Sequence, residues 1–277
     1  VETSVEYGYD ALNRLTAESS GGPMSSAAVR YTTAYTYDLV GNRLRKRSER
    51  HVDPDTTRLE LTNAQYDAND RLIAETLNDH GQVAEKTHTF DPNGALIASL
   101  ERAEGTGTTV SSATYTYTVQ NRLAGALIAR TETDTAGNKI PVEIETSYAY
   151  DHNGIRVASV ESVFDVSTGA RTTQYVDDAT AYLIDSHNPT GYAQVLEEHD
   201  LNGLTRSYTL GDDVVGQSSV VSGQSSVAHF LYDGHGNTRA LTDPLGEITN
   251  TFTYDAYGVE LNPAYSTLNP RPTTLAY

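Results

Sequence analysis

One short turn motif constrains this chain more than any other feature. In its clearest copy, Tyr37-Asp38-Leu39-Val40-Gly41-Asn42-Arg43-Leu44, a strand ends, the chain turns, and a second strand begins at Leu44. Tyr35 and Tyr37 are two positions apart, so on a strand both rings face the same side. Asp38 can accept a hydrogen bond from a backbone amide about two residues on, and Gly41 and Asn42 tolerate the positive φ of hairpin turns. The motif therefore predicts a β-hairpin.

The motif recurs eight times, with aromatic residues at 9, 37, 66, 90, 117, 150, 232 and 254. The copy at Tyr117 has Thr118 in place of Asp. Outside 151–231, successive copies lie between 22 and 33 residues apart, an imperfect spacing that is typical of an array of hairpins with variable strand ends. The residues that define the predicted structural motif are Tyr9, Asp10, Tyr37, Asp38, Gly41, Tyr66, Asp67, Phe90, Asp91, Gly94, Tyr150, Asp151, Gly154, Tyr232, Asp233, Gly236, Tyr254, Asp255 and Gly258.

The composition favours a thin β-layer over a thick apolar core. Only 38% of the residues are hydrophobic, the mean hydropathy is −0.47, and 19 Tyr stand against 4 Phe and no Trp. We expect tyrosine ladders in which each ring is half-buried and its hydroxyl faces water. The fold class predicted is all-β: an array of antiparallel hairpins that forms one continuous curved or spiralling sheet.

The motif also suggests how the chain is divided. Residues 1–228 are predicted to form the hairpin array, with irregular repeats over 161–228, and two clean copies follow in 229–261. Residues 262–277, which contain three prolines, are predicted to be an extended tail. In the irregular part, strands are expected at 172–176, 181–184, 192–196, 205–210 and 214–219; polar loops are expected at 19–28, 51–57, 103–113 and 134–141.

Charge and cysteine content exclude several classes of function. The net charge of −18 disfavours nucleic acid and anionic membrane as partners, because both normally bind clustered Lys or Arg. The absence of Cys excludes disulfides and thiolate metal sites. No apolar run approaches 18 residues, so membrane insertion by a helix is not expected.

Candidate catalytic and metal-binding groups are weak in this sequence. Carboxylate pairs occur at Asp177-Asp178, Glu197-Glu198 and Asp212-Asp213, and paired carboxylates can hydrolyse glycosides. No nucleophile–base–orienter set surrounds them, and the eight His are scattered. The Asp-x-Asn-Gly copies at Asp91 and Asp151 lack the further ligands of a calcium loop. We therefore expect no catalytic residue, no metal site and no cofactor, and predict that the chain is not an enzyme. Tyrosine ladders could also bind sugars by ring stacking, which leaves a glycan-binding alternative open.

The motif resembles the YD repeats, also called Rhs repeats, of bacterial proteins. The pattern Tyr-Asp-x-x-Gly-Asn/Arg-Arg-Leu carries the resemblance, as does the stretch 188–198, and residues 232–258 resemble the start of the Rhs-associated core. The resemblance implies a β-sheet that spirals into a hollow shell around a toxic C-terminal cargo in an exported protein, secreted or at the cell surface. It also implies that both terminal sheet edges contact the rest of the same shell. The alternative that it leaves open is a cell-surface adhesin or carbohydrate-binding module.

Overall fold

The computed structural model describes residues 4–21, 30–51, 56–133, 137–169, 172–173, 178–221 and 223–261. Across these ranges every regular element is a β-strand, and no helix that could span a membrane occurs in them. The strands are β1 (Ser4–Tyr9), β2 (Leu15–Gly21), β3 (Arg30–Tyr37), β4 (Arg43–His51), β5 (Thr57–Tyr66), β6 (Leu72–Asp79), β7 (Gln82–Phe90), β8 (Leu96–Ala103), β9 (Thr109–Tyr117), β10 (Leu123–Thr133), β11 (Lys139–Tyr150), β12 (Arg156–Asp165), β13 (Thr172–Thr173), β14 (Asp178–Asp185), β15 (Gln194–Asp200), β16 (Gly203–Leu210), β17 (Val214–Val221), β18 (Gln224–Tyr232), β19 (Thr238–Thr242) and β20 (Ile248–Thr251).

The chain divides into two compact units. The first consists of residues 1–147 and 161–177, and the second of 148–160 and 178–277. In the first unit each strand from β1 to β11 pairs antiparallel with the next one along the chain. In the second unit the same holds from β14 to β20. The prediction of an all-β array of antiparallel hairpins is therefore confirmed, whereas a spiral path of the sheet stays a prediction.

Strand β3 shows how the sequence pattern produces a two-faced strand. Tyr31, Thr33 and Tyr35 are buried, and the residues between them are exposed, as the side-chain period of two requires. Tyr31 and Tyr35 are only 2% and 3% exposed. The expectation of half-buried rings with wet hydroxyls is wrong for Tyr35, because its hydroxyl donates to the carboxylate of Glu18, which is itself fully buried.

The apolar core is as small as the composition predicts. Val142, Ile144 and Val163 form its buried cluster in the first unit, and Ile128 and Ile140 pack against them. With so little apolar burial, hairpins depend more on their backbone ladders and on cross-strand contacts, each worth roughly 0.2–1 kcal/mol.

Several predicted loops are shorter than expected. Strand β2 continues to Gly21, β9 begins at Thr109, and β11 begins at Lys139, so the ends of the loops predicted at 19–28, 103–113 and 134–141 are strand. The error arises because Ser- and Thr-rich segments pair readily when a neighbouring strand offers its backbone. Of the strands predicted in the irregular part, those at 181–184, 205–210 and 214–219 lie within β14, β16 and β17, and the third is shifted to Gln194–Asp200. The first is seen at Thr172–Thr173, and its remaining residues, 174–176, lie outside the described residues. The predicted tail, 262–277, and Asp177 lie outside the described residues.

Candidate functional site: the interlocked hairpin loops

The described residues contain nine copies of the same five-residue loop, eight at the motif copies and one at Asp243. The loops span 10–14, 38–42, 67–71, 91–95 and 118–122 in the first unit, and 151–155, 233–237, 243–247 and 255–259 in the second. In each loop the amide of the first residue donates to the carbonyl oxygen of the fifth, at 2.8–3.0 Å. Seven of the eight motif aromatics are therefore the last residue of a strand before a closed turn, and the eighth, Tyr254, forms an isolated bridge with Glu260.

The motif aspartate holds the loop together from inside. Asp10 Oδ1 accepts hydrogen bonds from the amides of Leu12 and Arg14, both at 2.9 Å. The same two contacts, to the third and fifth loop residues, recur at Asp38, Asp67, Asp91, Asp151, Asp233, Asp243 and Asp255. Thr118 makes them with its hydroxyl at 3.2 Å. The first loop position therefore requires a side-chain hydrogen-bond acceptor. Asp supplies it in eight loops, and the Thr118 hydroxyl supplies it in the ninth.

These hydrogen bonds favour the ionised aspartate. The Arg14 amide, followed by the Arg14 guanidinium, lowers the pKa of Asp10, and the Arg71 guanidinium is the largest cause of the lowered pKa of Asp67. At Asp233 burial opposes ionisation, but the Asn237 side chain and the loop amides outweigh it and hold the pKa well below its usual range. A carboxylate that accepts several hydrogen bonds behaves in this way.

The fourth loop position explains the glycines of the motif. Its φ is positive in all nine loops: Gly41, Gly94, Gly154, Gly236, Gly246 and Gly258 have values between 78° and 108°, and Asn13, Asp70 and Asn121 between 59° and 60°. Gly, Asn and Asp are the residues that adopt this region most readily. Asn42, which could also tolerate a positive φ, does not have one.

Seven of the nine loops are followed by a bulge in the returning strand. Arg43 lies opposite Tyr37 and Arg45 lies opposite Thr36, so Leu44 is an extra residue. The predicted start of the return strand at Leu44 is therefore one residue late, and Leu44 is 39% exposed. The same shift follows the loops at Asp10, Asp67, Asp91, Thr118, Asp233 and Asp243. A bulge that recurs at one place after seven of the loops is a designed feature of the fold.

Arginine and tyrosine connect each hairpin to the next. The Arg14 guanidinium lies 5.1 Å from the centre of the Tyr37 ring and donates through Nη1 to the Asp38 carbonyl oxygen at 2.7 Å. In return, the Tyr37 hydroxyl donates to the Leu15 carbonyl oxygen at 2.6 Å. We call this three-part contact the hairpin lock.

Parts of the hairpin lock recur in both units. Tyr66, Tyr117 and Tyr232 donate to the carbonyl oxygens of Arg43, Leu96 and Val214, each the first residue of an earlier return strand, at 2.6–3.1 Å. Arg71 lies 5.1 Å from the centre of the Phe90 ring, and Arg239 lies 5.8 Å from that of Tyr254. Asn42 replaces arginine in the second loop, where its Nδ2 joins Asp38 to Asp70 of the next loop.

The structure places Glu197 and Glu198, one of the carboxylate pairs considered as catalytic candidates, on opposite faces of β15. On one face of β15, the Nε2 atom of His199 lies 2.8 Å from a carboxylate oxygen of Glu197. Glu198 is buried on the other face. Glu198 accepts from Arg206 Nη1 at 2.9 Å and from the Tyr208 hydroxyl at 2.6 Å. Burial, followed by the hydrogen bond to Glu198, raises the pKa of Tyr208 to about 12. Both Glu198 oxygens are thus engaged within the sheet, and Asp212 and Asp213 lie in the turn before β17.

The sequence did not reveal every part of these contacts. The loop at Asp243 was missed because Thr242 precedes it instead of an aromatic residue, although Gly246 at the fourth position gives a signal. The role of Arg14, Arg71 and Arg239 was missed because their partners lie in another repeat. Within the described ranges, no three His, Asp or Glu side chains are close enough together to hold a metal ion.

Comparison with known proteins gives matches among solved structures. No protein-family model and no curated protein matches the chain. A crystal structure of TcdB2-TccC3 without its hypervariable C-terminal region is similar at 15% identity and a TM-score of 0.42, over 92% of this chain. The chain spans only 15% of the length of that protein. A porin-like protein from Bacteroides uniformis is similar at 12% identity and a TM-score of 0.40, over 73% of this chain and 89% of its own.

Proposed function

We propose that this chain is a non-catalytic length of β-sheet wall in a YD-repeat shell. The shell would belong to an exported bacterial protein, secreted or at the cell surface, and would enclose a C-terminal toxin or other cargo. The partners of the chain are then the enclosed cargo and the rest of the shell.

The hairpin lock is the observation that carries this proposal. The residues that make the motif recognisable are used within the sheet: the aspartate closes its own loop, while Arg14 and Tyr37 connect two hairpins. A repeat that connects to its neighbour through the same groups each time makes a sheet of any length, because each unit contacts only the units beside it. A catalytic site needs different groups that converge once.

Protease protection tests the wall function. The natural protein that contains this sequence is treated with a broad-specificity protease, and the cleavage rate of the candidate cargo is followed by mass spectrometry. The same cargo segment expressed alone is the matched control. We expect cargo in the intact protein to be cut at least about tenfold more slowly, and to lose this protection when urea unfolds the wall.

Equal cleavage rates in the two samples would contradict the wall function. A glycan array probed with residues 1–277 tests the adhesin alternative. Saturable binding to one glycan class, lost on substitution of the 73% exposed Tyr192, would replace the wall by a carbohydrate-binding function.

A further inference from the structure

The five-residue loops of the first unit lie together at one end of its strands. They follow β1, β3, β5, β7 and β9, and each of these strands pairs antiparallel with the next one along the chain. We call this end of the first unit the loop rim. The second and third residues form the tip of each loop, and all ten tip residues are exposed: Ala11, Leu12, Leu39, Val40, Ala68, Asn69, Pro92, Asn93, Val119 and Gln120.

The tips of the loop rim are uncharged and partly aliphatic. None of the ten tip residues is Asp, Glu, Lys or Arg, although these make up 20% of the chain. At the opposite end of the strands, the two fully described connections, 80–81 and 104–108, contain no aliphatic residue. The most exposed aliphatic side chains described in the first unit are therefore loop tips, with exposures of 69%, 100%, 73% and 98%: Leu12, Leu39, Val40 and Val119.

Each loop also satisfies most of its own backbone donors. In the loop 10–14, the amides of Asp10, Leu12, Asn13 and Arg14 all donate hydrogen bonds within the loop. The amides at the same four positions do so in the other four loops of the rim. Unsatisfied backbone groups are what keeps irregular loops out of an apolar phase. The loop tips can therefore leave water without stranding these donors.

We propose that the loop rim inserts shallowly into the surface of a lipid bilayer. The four aliphatic tips would enter the boundary between headgroups and acyl chains, the depth at which peripheral proteins insert. This inference goes beyond the proposed wall function and does not depend on it. Tyrosine is enriched at membrane–water interfaces, and an aromatic residue, tyrosine in four cases, precedes each loop of the rim: Tyr9, Tyr37, Tyr66, Phe90 and Tyr117.

A bilayer fits the loop rim better than a folded partner does. Neighbouring loops are two strand spacings apart, about 10 Å, so the aliphatic tips form neither a groove nor a continuous apolar face. A folded partner would need a separate pocket for the tip of each loop, whereas lipid deforms around single side chains. The net charge of −18 opposes binding to anionic lipid, so the proposed surface is zwitterionic.

Vesicle flotation tests the proposal with the full chain and phosphatidylcholine vesicles. The test variants are Leu39→Ser and Val119→Ser, whose original side chains are almost fully exposed, so their urea midpoints should equal that of the unaltered chain. The matched control is Leu201→Ser, because Leu201 is 77% exposed in the connection between β15 and β16. Asn69→Leu adds an aliphatic tip at the loop position that Leu12 occupies.

We expect saturable binding of the unaltered chain to the vesicles. Leu39→Ser and Val119→Ser should each weaken it roughly three- to tenfold, and Asn69→Leu should strengthen it by a similar factor, as partial burial of one aliphatic side chain requires. Leu201→Ser should bind like the unaltered chain. Binding should persist in high salt, because salt screens interactions between exposed charges and the aliphatic tips carry none.

Three results would overturn the proposal: no flotation with the vesicles, equal binding of the test variants and the Leu201→Ser control, or loss of binding in high salt. Light scattering without vesicles tests the loop rim as a contact between copies of the chain. Self-association that Leu39→Ser abolishes would assign the rim to that contact and overturn the membrane proposal. A chain that stays monomeric in solution and floats with vesicles would support it.

Discussion

Two glycines in a single loop isolate the energetic cost of the positive φ. Gly234 and Gly236 lie in the loop after β18, and a Cβ atom added at either would meet nothing within 4 Å. Gly236 has φ +82°, whereas Gly234 lies outside the left-handed region. Alanine at Gly236 must therefore pay about 1–2 kcal/mol for a left-handed conformation, and alanine at Gly234 avoids this cost.

The two substitutions share their effect on the unfolded chain. Each removes backbone freedom from the unfolded state, which stabilises the fold by about 0.4–1 kcal/mol. Because this contribution cancels between them, Gly236→Ala should be about 1–2 kcal/mol less stable than Gly234→Ala. Gly236→Asn should recover part of the difference, since Asn13 and Asn121 occupy the same position in other loops with φ 59° and 60°.

Urea denaturation followed by far-UV circular dichroism measures these differences as shifts in midpoint at constant slope. Hydrogen exchange of the amides in β18 and β19 shows whether the loss of stability is confined to the hairpin that carries this loop. Equal midpoints for the two alanine variants, or an asparagine variant no better than alanine, would refute the account of the fourth loop position. Gly105 would not serve as a neutral control, although it lies in a flexible-looking polar stretch, because its φ is +80°.

Three further outcomes are expected. Tyr37→Phe should lose about 0.5–1.5 kcal/mol of unfolding free energy with its hydrogen bond to Leu15, whereas Tyr192→Phe should be neutral; equal urea midpoints would count against the hairpin lock. The pKa values of Asp10 and Asp151 are lowered chiefly by the amides of Arg14 and Ile155. Their stabilising effect is therefore full above the unfolded pKa of about 4 and is lost as pH falls through the lower folded pKa; urea titrations from pH 6 to 2 should show a smaller loss for Asp151→Asn. The pKa of Tyr208, about 12 in the fold, predicts a loss of stability as pH rises from about 10 towards that value, and Tyr208→Phe should lack this part of the alkaline loss in the same assay.

The hairpins were predictable because their signals are local. Tyr37, Asp38 and Gly41 lie within five residues, and each has a requirement set by the turn itself. The return-strand bulge was not predictable, because Leu44 reads as an ordinary apolar strand residue and its displacement follows from the loop geometry.

Contacts between repeats could not be predicted from the sequence, because the two partners lie far apart along the chain. Arg14 reaches Tyr37 across 23 positions, and nothing near Arg14 indicates which ring it covers. Glu198 was equally ambiguous: its neighbours Glu197 and His199 suggested a charged cluster, but strand alternation sends Glu198 to the opposite face, where Arg206 and Tyr208 bind it.

The constant five-residue loops leave the other ends of the hairpins free to vary. In the first unit, the connection between β6 and β7 is the two residues His80 and Gly81, whereas that between β8 and β9 covers 104–108. Insertions and deletions at these connections change the length of a hairpin at that end only, so the five-residue loops and their locks stay in register. Natural variation can therefore lengthen or shorten these connections in the first unit one hairpin at a time. For the same reason, a tag or an epitope can be inserted at residues 104–108 without a change in the strand register of the repeats.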